Sequence, residues 1–178
     1  ATDTGSGVSD LQYKTPGSSS WTTYSSGTTI SASATNGLYQ FRAVDNAGNT
    51  SAVSSIYLDT AIPTGKITDS NGTTVTTTTN KAFKYTASDG LSGIAYMQYK
   101  KPNSTVWETY AAGTLIQTTD TNGIYRFRAF DNAGNESETV MICLDTVKPT
   151  GTLYGGTSTV ASGGKTNANY VKFVPSDS

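Results

Sequence analysis

The chain reads as an all-β protein, built from seven-stranded antiparallel sandwiches repeated in tandem. Three observations predict this. The sequence repeats itself at a constant step. Its apolar residues fall in short alternating runs separated by turn residues. Its composition suits small cores under a large polar surface.

The repeat is the strongest signal. Asp3, Gly7, Gln12, Tyr13, Trp21, Tyr24, Tyr39, Phe41, Arg42 and Asp45 recur as Asp89, Gly93, Gln98, Tyr99, Trp107, Tyr110, Tyr125, Phe127, Arg128 and Asp131. From Asp3 to Asp89 the step is 86, and Asp59, Pro63 and Gly65 recur as Asp145, Pro149 and Gly151 at the same step. A third start follows, with Tyr170-Val171-Lys172-Phe173 and Asp177 echoing Ala82-Phe83-Lys84-Tyr85 and Asp89. A period of this length is too long for a solenoid unit and fits a small domain. The expected division is a module lacking its first two strands over 1–62, a complete module over 63–148, and the first two strands of a third over 149–178. The chain begins at Ala1 without a leader-like apolar run, as expected of a processed or excised piece of a longer array.

Within 63–148 the strands follow in order. Gly65 to Thr68 opens the module, and Ala82 to Ala87 follows with Phe83 and Tyr85 on one face. Ile94 to Lys100 is the third and stops before Pro102, and Val106 to Tyr110 and Thr114 to Thr118 are shorter. Ile124 to Phe130 alternates, with Tyr125, Phe127 and Ala129 facing one way and Arg126 and Arg128 the other. Ser137 to Leu144 closes the module with Ile142 and Leu144 inward. No stretch carries a helical period.

Composition bounds the rest. Apolar residues make up 35%, charged residues only 14%, and 11 Tyr with 5 Phe argue against disorder. A net charge of −1 gives no electrostatic footprint for nucleic acid, and no apolar run is long enough to span a bilayer as a helix. One cysteine, Cys143, excludes an intrachain disulfide, and Tyr57 at its repeat position marks it as filler rather than chemistry. There is no histidine, which removes Ser-His-Asp and Cys-His catalysis and the commonest metal ligand. No nucleophile–base pair recurs, so a non-enzymatic role is expected.

The sixth strand gives the most specific local clue. In immunoglobulin-type domains a tyrosine two residues before a cysteine anchors this strand through its hydroxyl. Tyr125 holds the tyrosine place and Phe127 the cysteine place, as do Tyr39 and Phe41 in the first repeat. Aromatic packing with Phe83 or Tyr85 would then replace the disulfide.

Several motifs have more than one reading. Asp131-Asn132-Ala133-Gly134-Asn135 is sufficiently explained as a tight hairpin turn. In this topology, though, the loops after the second and sixth strands lie where the preceding linker arrives. Asp59, Asp89 and Asp131 would then converge, offering the oxygen ligands that calcium takes. Asp145 and Asp177 would rebuild two of the three at the next junction. Trp21 with Tyr24, and Trp107 with Tyr110, form either a sugar-stacking platform or an edge cap, and packing is the commoner use. Arg42 and Arg128 sit outward, where a cross-strand ion pair is expected. Lys66 has no asparagine opposite it on the last strand, so an isopeptide crosslink is not expected.

The segments from Tyr125 to Ser137 and from Asp145 to Pro149 resemble the bacterial immunoglobulin-like repeats of large surface adhesins and of modules attached to secreted glycosidases. The resemblance covers both visible repeats. It implies an extracellular location, on a bacterial cell surface or secreted, and a structural stalk or spacer role, as in an adhesin. It also implies calcium between modules in some members, and host-protein or glycan binding in others. The two incomplete ends have two readings: head-to-tail strand complementation, residues 149–178 of one copy completing residues 1–62 of another, or the trimmed edges of a longer array.

Overall fold

A computed structural model describes residues 1–176, and Asp177 lies outside the described residues. It is all-β, with antiparallel sheets and no helix among the described residues. Fourteen strands follow in chain order among the described residues. The first four are β1 (Val8–Lys14), β2 (Thr22–Thr23), β3 (Gly37–Asp45) and β4 (Ser54–Leu58), in one sheet of order β2-β1-β3-β4. Next come β5 (Thr64–Asp69), β6 (Thr78–Thr79), β7 (Phe83–Ser88), β8 (Ile94–Lys100), β9 (Glu108–Tyr110), β10 (Gly123–Asp131) and β11 (Val140–Leu144). These form a two-stranded sheet β5-β7 and a five-stranded sheet β6-β11-β10-β8-β9. The last three, β12 (Thr150–Gly155), β13 (Ser158–Thr159) and β14 (Val171–Ser176), pair in the order β13-β12-β14.

The core lies between β5-β7 and the five-stranded sheet. Ile67, Phe83 and Tyr85 come from the small sheet, and Tyr110, Tyr125, Phe127, Ala129, Ile142 and Leu144 from the large one. The period-2 pattern of β10 is what puts Tyr125, Phe127 and Ala129 on the buried face together. Phe83 meets Tyr125 and Phe127 edge-on at 5.7 and 6.2 Å, and Tyr85 stacks on Phe127 at 5.1 Å. Edge-to-face and offset contacts of this kind add roughly 0.5–1.5 kcal/mol each beyond area burial. The Tyr125 hydroxyl donates to the Thr121 carbonyl at 2.9 Å, and Tyr39 does the same to Thr35. These bonds tie the start of each long strand to the chain four residues upstream.

Three expectations are corrected. Thr114 to Thr118 does not form a strand. Its contribution is one bridge, in which Ile116 and Phe83 exchange backbone hydrogen bonds. A two-residue strand instead pairs parallel with β11 through Thr78 and Thr79. Tyr110 is not an edge cap but a core residue, 3% exposed, which accepts a hydrogen bond from the Tyr85 amide and donates to the Thr114 carbonyl. Finally, Arg42 makes no ion pair with an acid among the described residues. Its Nε donates to Gln12 at 2.8 Å, whereas Arg128 reaches both Gln98 and Glu136. The difference is Thr50 standing where the second repeat has Glu136.

Candidate metal centre

Asp59 follows β4 directly, Asp89 follows β7, and Asp131 ends β10. The fold brings all three together, each offering a carboxylate oxygen within 4.8 Å of the others. Asp59 and Asp131 are buried and Asp89 is half-buried. Calcium's 6–8 oxygen ligands fit a set of carboxylates supplemented by carbonyls and water.

Each carboxylate is held by turn chemistry. Asp131 opens a tight turn in which its Oδ1 accepts the amides of Ala133 at 2.9 Å and Asn135 at 2.8 Å, and its Oδ2 accepts Asn135 Nδ2 at 2.8 Å. Gly134 carries φ of +95°, the left-handed conformation that closes this turn at no Cβ cost. Asp89 Oδ1 accepts the amides of Leu91, Ser92 and Gly93 at 2.9–3.0 Å. Asn132 binds the two loops together, donating from Nδ2 to the Ser92 carbonyl at 2.7 Å.

The linker residue is caught between these loops. Asp59 Oδ2 accepts the Ser92 amide at 3.0 Å, and its backbone carbonyl accepts Asn135 Nδ2 at 3.1 Å. Its Oδ1 caps its own turn through the Ala61 amide. One aspartate thus fastens the end of the first sheet to both loops of the next unit.

Electrostatics favour the ionised forms. Hydrogen bonds from Leu91, Gly93 and Ser92 hold the Asp89 carboxyl below its ordinary value of 3.8, against the opposing effect of desolvation. At Asp131 burial pushes the carboxyl up, but the side-chain and backbone bonds from Asn135 and its neighbours outweigh it, leaving the carboxyl lowered. Charged carboxylates brought this close repel one another, and a divalent cation at their focus would offset that repulsion.

The first repeat rebuilds part of the same arrangement. In the first repeat Asp45 makes the same turn with Ala47 and Asn49, Asn46 bonds Ser6, and Asp3 accepts the Gly5 and Gly7 amides. Two loops of the site are therefore rebuilt there. At the far junction Asp145 caps the Val147 amide as Asp59 caps Ala61. Its expected partner Asp177 lies outside the described residues.

The aromatic candidates resolve differently. Trp107 lies under two cations, Lys100 at 4.8 Å and Arg128 at 4.2 Å, and Trp21 lies under Lys14 and Arg42 in the same way. The same cation–π contacts therefore recur in both repeats. An aromatic pair missed by the sequence reading belongs to the second repeat alone. Tyr96, 47% exposed, stacks on Phe130 at 4.7 Å, where the first repeat has Asp10 and Val44. Comparing the repeats position by position would have exposed it. Lys66 is exposed on β5. No protein-family model and no curated protein sequence matches the chain.

Proposed function

We propose that this chain is a non-enzymatic spacer, a run of immunoglobulin-like modules in an extracellular bacterial stalk, stiffened at the junction by calcium held between Asp59, Asp89 and Asp131. The observation that carries this reading is the capture of Asp59. A flexible linker would leave its polar groups to water, whereas this one spends both carboxylate oxygens and its carbonyl on defined partners, two of them loops of the following unit. The resemblance to bacterial immunoglobulin-like repeats, the anchoring tyrosines Tyr39 and Tyr125, and the aromatic core without a disulfide all support the module assignment. Calcium removal and addition tests the junction. A ligand at about 100 times its Kd stabilises the folded form by roughly 2.7 kcal/mol. For a unit of this size that raises Tm by about 10–20 °C. Thermal unfolding in excess calcium and then in EDTA is expected to show such a rise, and Asp59→Asn to abolish it. An unchanged Tm would remove the cation from the junction.

A second reading is favoured by one observation. The exposed Tyr96–Phe130 pair is unique to one repeat, as a binding surface would be and a shared structural device would not. It suits a ligand with a flat apolar face, such as a sugar ring.

A further inference from the structure

The outward face of the second unit's large sheet departs from that of the first in a patterned way. On β10 the residues between the buried Tyr125, Phe127 and Ala129 point outward, and β8 pairs with them as Tyr96 with Phe130, Gln98 with Arg128 and Lys100 with Arg126. The β5–β7 hairpin covers the opposite side of this sheet, so the outward face is not an uncovered core. At the same rungs the first unit carries Asp10 with Val44, Gln12 with Arg42 and Lys14 with Gln40. The middle rung is kept, and both flanking rungs change.

The kept rung is a scaffold. Arg128 donates from Nε and Nη2 to Gln98 Oε1 at 2.9 and 2.8 Å, and from Nη1 to Glu136 at 2.7 Å. Its guanidinium also lies against the rings of Trp107 and Phe130, at 4.2 and 5.0 Å. Tyr96 stacks on Phe130 in turn, 17° from parallel. These contacts fix the aromatic pair before any ligand arrives, which lowers the entropic cost of binding.

The changed rungs add chemistry. Tyr96 puts a half-exposed ring where the first unit has an acid. That acid matters to its neighbour, because Gln12 Nε2 donates to Asp10 at 2.9 Å. With Tyr96 in the acid's place, Gln98 Nε2 has no protein partner among the described residues, while its oxygen stays on Arg128. At the other flanking rung Arg126 stands directly opposite Lys100, where the first unit sets Gln40 opposite Lys14. Like charges placed opposite one another destabilise a sheet. Neither Arg126 nor Lys100 forms an ion pair among the described residues. The face thus gains a ring, a free amide donor and an uncompensated pair of cations, laid out in that order along about 13 Å of strand.

We propose that this face binds an acidic polysaccharide. One sugar ring lies on Tyr96, the Gln98 amide donates to a ring substituent, and a carboxylate further along the polymer lies between Arg126 and Lys100. Such binding rests on the sugar-ring reading of Tyr96–Phe130 and adds the charge of the sugar. Charge complementarity carries that addition. An anion between the two cations removes their repulsion and takes charge-assisted hydrogen bonds from both. A nucleic acid fits less well, since its charge runs along the whole backbone and the chain's net charge is −1.

Retention of the full chain on immobilised polygalacturonate, alginate and hyaluronan tests this, with methyl-esterified polygalacturonate as the uncharged counterpart. EDTA is present throughout, so that neither the junction cation nor calcium bridging contributes. The expected result is retention on at least one acidic polymer, weakening as salt is raised. Arg126→Gln copies the residue of the first unit and so preserves the fold. It is expected to weaken that binding about tenfold, the scale of one charge-assisted bond. Tyr96→Ser is expected to abolish it. No retention on any acidic polymer, equal retention on the ester, or an unaffected Arg126→Gln variant would overturn the acidic class, while Tyr96-dependent binding of the ester would leave the sugar surface standing. Binding that survives Tyr96→Ser, or that polyglutamate or a thymidine oligonucleotide matches, would remove both.

Discussion

The same substitution at repeat positions 56 and 142 should have unequal effects. Ile142→Ala deletes three carbons from a side chain that is 1% exposed. At about 0.8 kcal/mol per buried methylene the transfer loss is roughly 2.4 kcal/mol. The cavity left between β5 and β11 adds to it, giving about 3–4 kcal/mol in total. Ile56 keeps only about a third of its surface from water, so Ile56→Ala should cost about 1 kcal/mol or less. In a unit of roughly 85 residues each kcal/mol moves Tm by about 4–8 °C. The expected falls are therefore about 12–30 °C at position 142 and under about 8 °C at position 56. Several units in one chain do not unfold as one two-state system, so the readout must be local. Trp107 reports on the second unit and Trp21 on the first. Tryptophan fluorescence during heating, with the other indole replaced by phenylalanine and the protein dilute, separates them. Equal shifts would refute the idea that the β5–β7 hairpin seals the core over Ile142.

Acid should loosen the turns before the strands. Asp45, Asp89 and Asp131 all titrate below 3.8 when folded, so their contribution is complete above that value and is lost as pH falls through the lower folded values. An acid titration followed by fluorescence should show this loss, and Asp89→Asn with Asp131→Asn should make the profile shallower. If the Tyr96–Phe130 surface binds sugar, Tyr96→Ser should abolish retention on a glycan array while leaving Tm within about 2 °C. Retention that survives the change would remove this surface from consideration.

What the sequence made legible follows from periodicity and from the repeat. Alternation alone placed Tyr125, Phe127 and Ala129 inward, because a strand's side-chain period admits no other arrangement once one face is apolar. The convergence of Asp59, Asp89 and Asp131 was legible because each sits at a strand end, and strand ends on one side of a sheet meet in space. The short elements were not legible. Ile116 gains its two backbone bonds only because Phe83 arrives from the opposite sheet, and no local pattern encodes that approach. Tyr110 looked peripheral in a short strand, yet its hydroxyl joins the Tyr85 amide to the Thr114 carbonyl, partners from two separate segments. The repeat then separates what a sheet fixes alone from what its partner fixes. Tyr13, Tyr24 and Phe41 keep the geometry of Tyr99, Tyr110 and Phe127 with no hairpin above them among the described residues. The aromatic platform is therefore a property of its own strands. What the β5–β7 hairpin supplies to the second unit is exclusion of water from that platform.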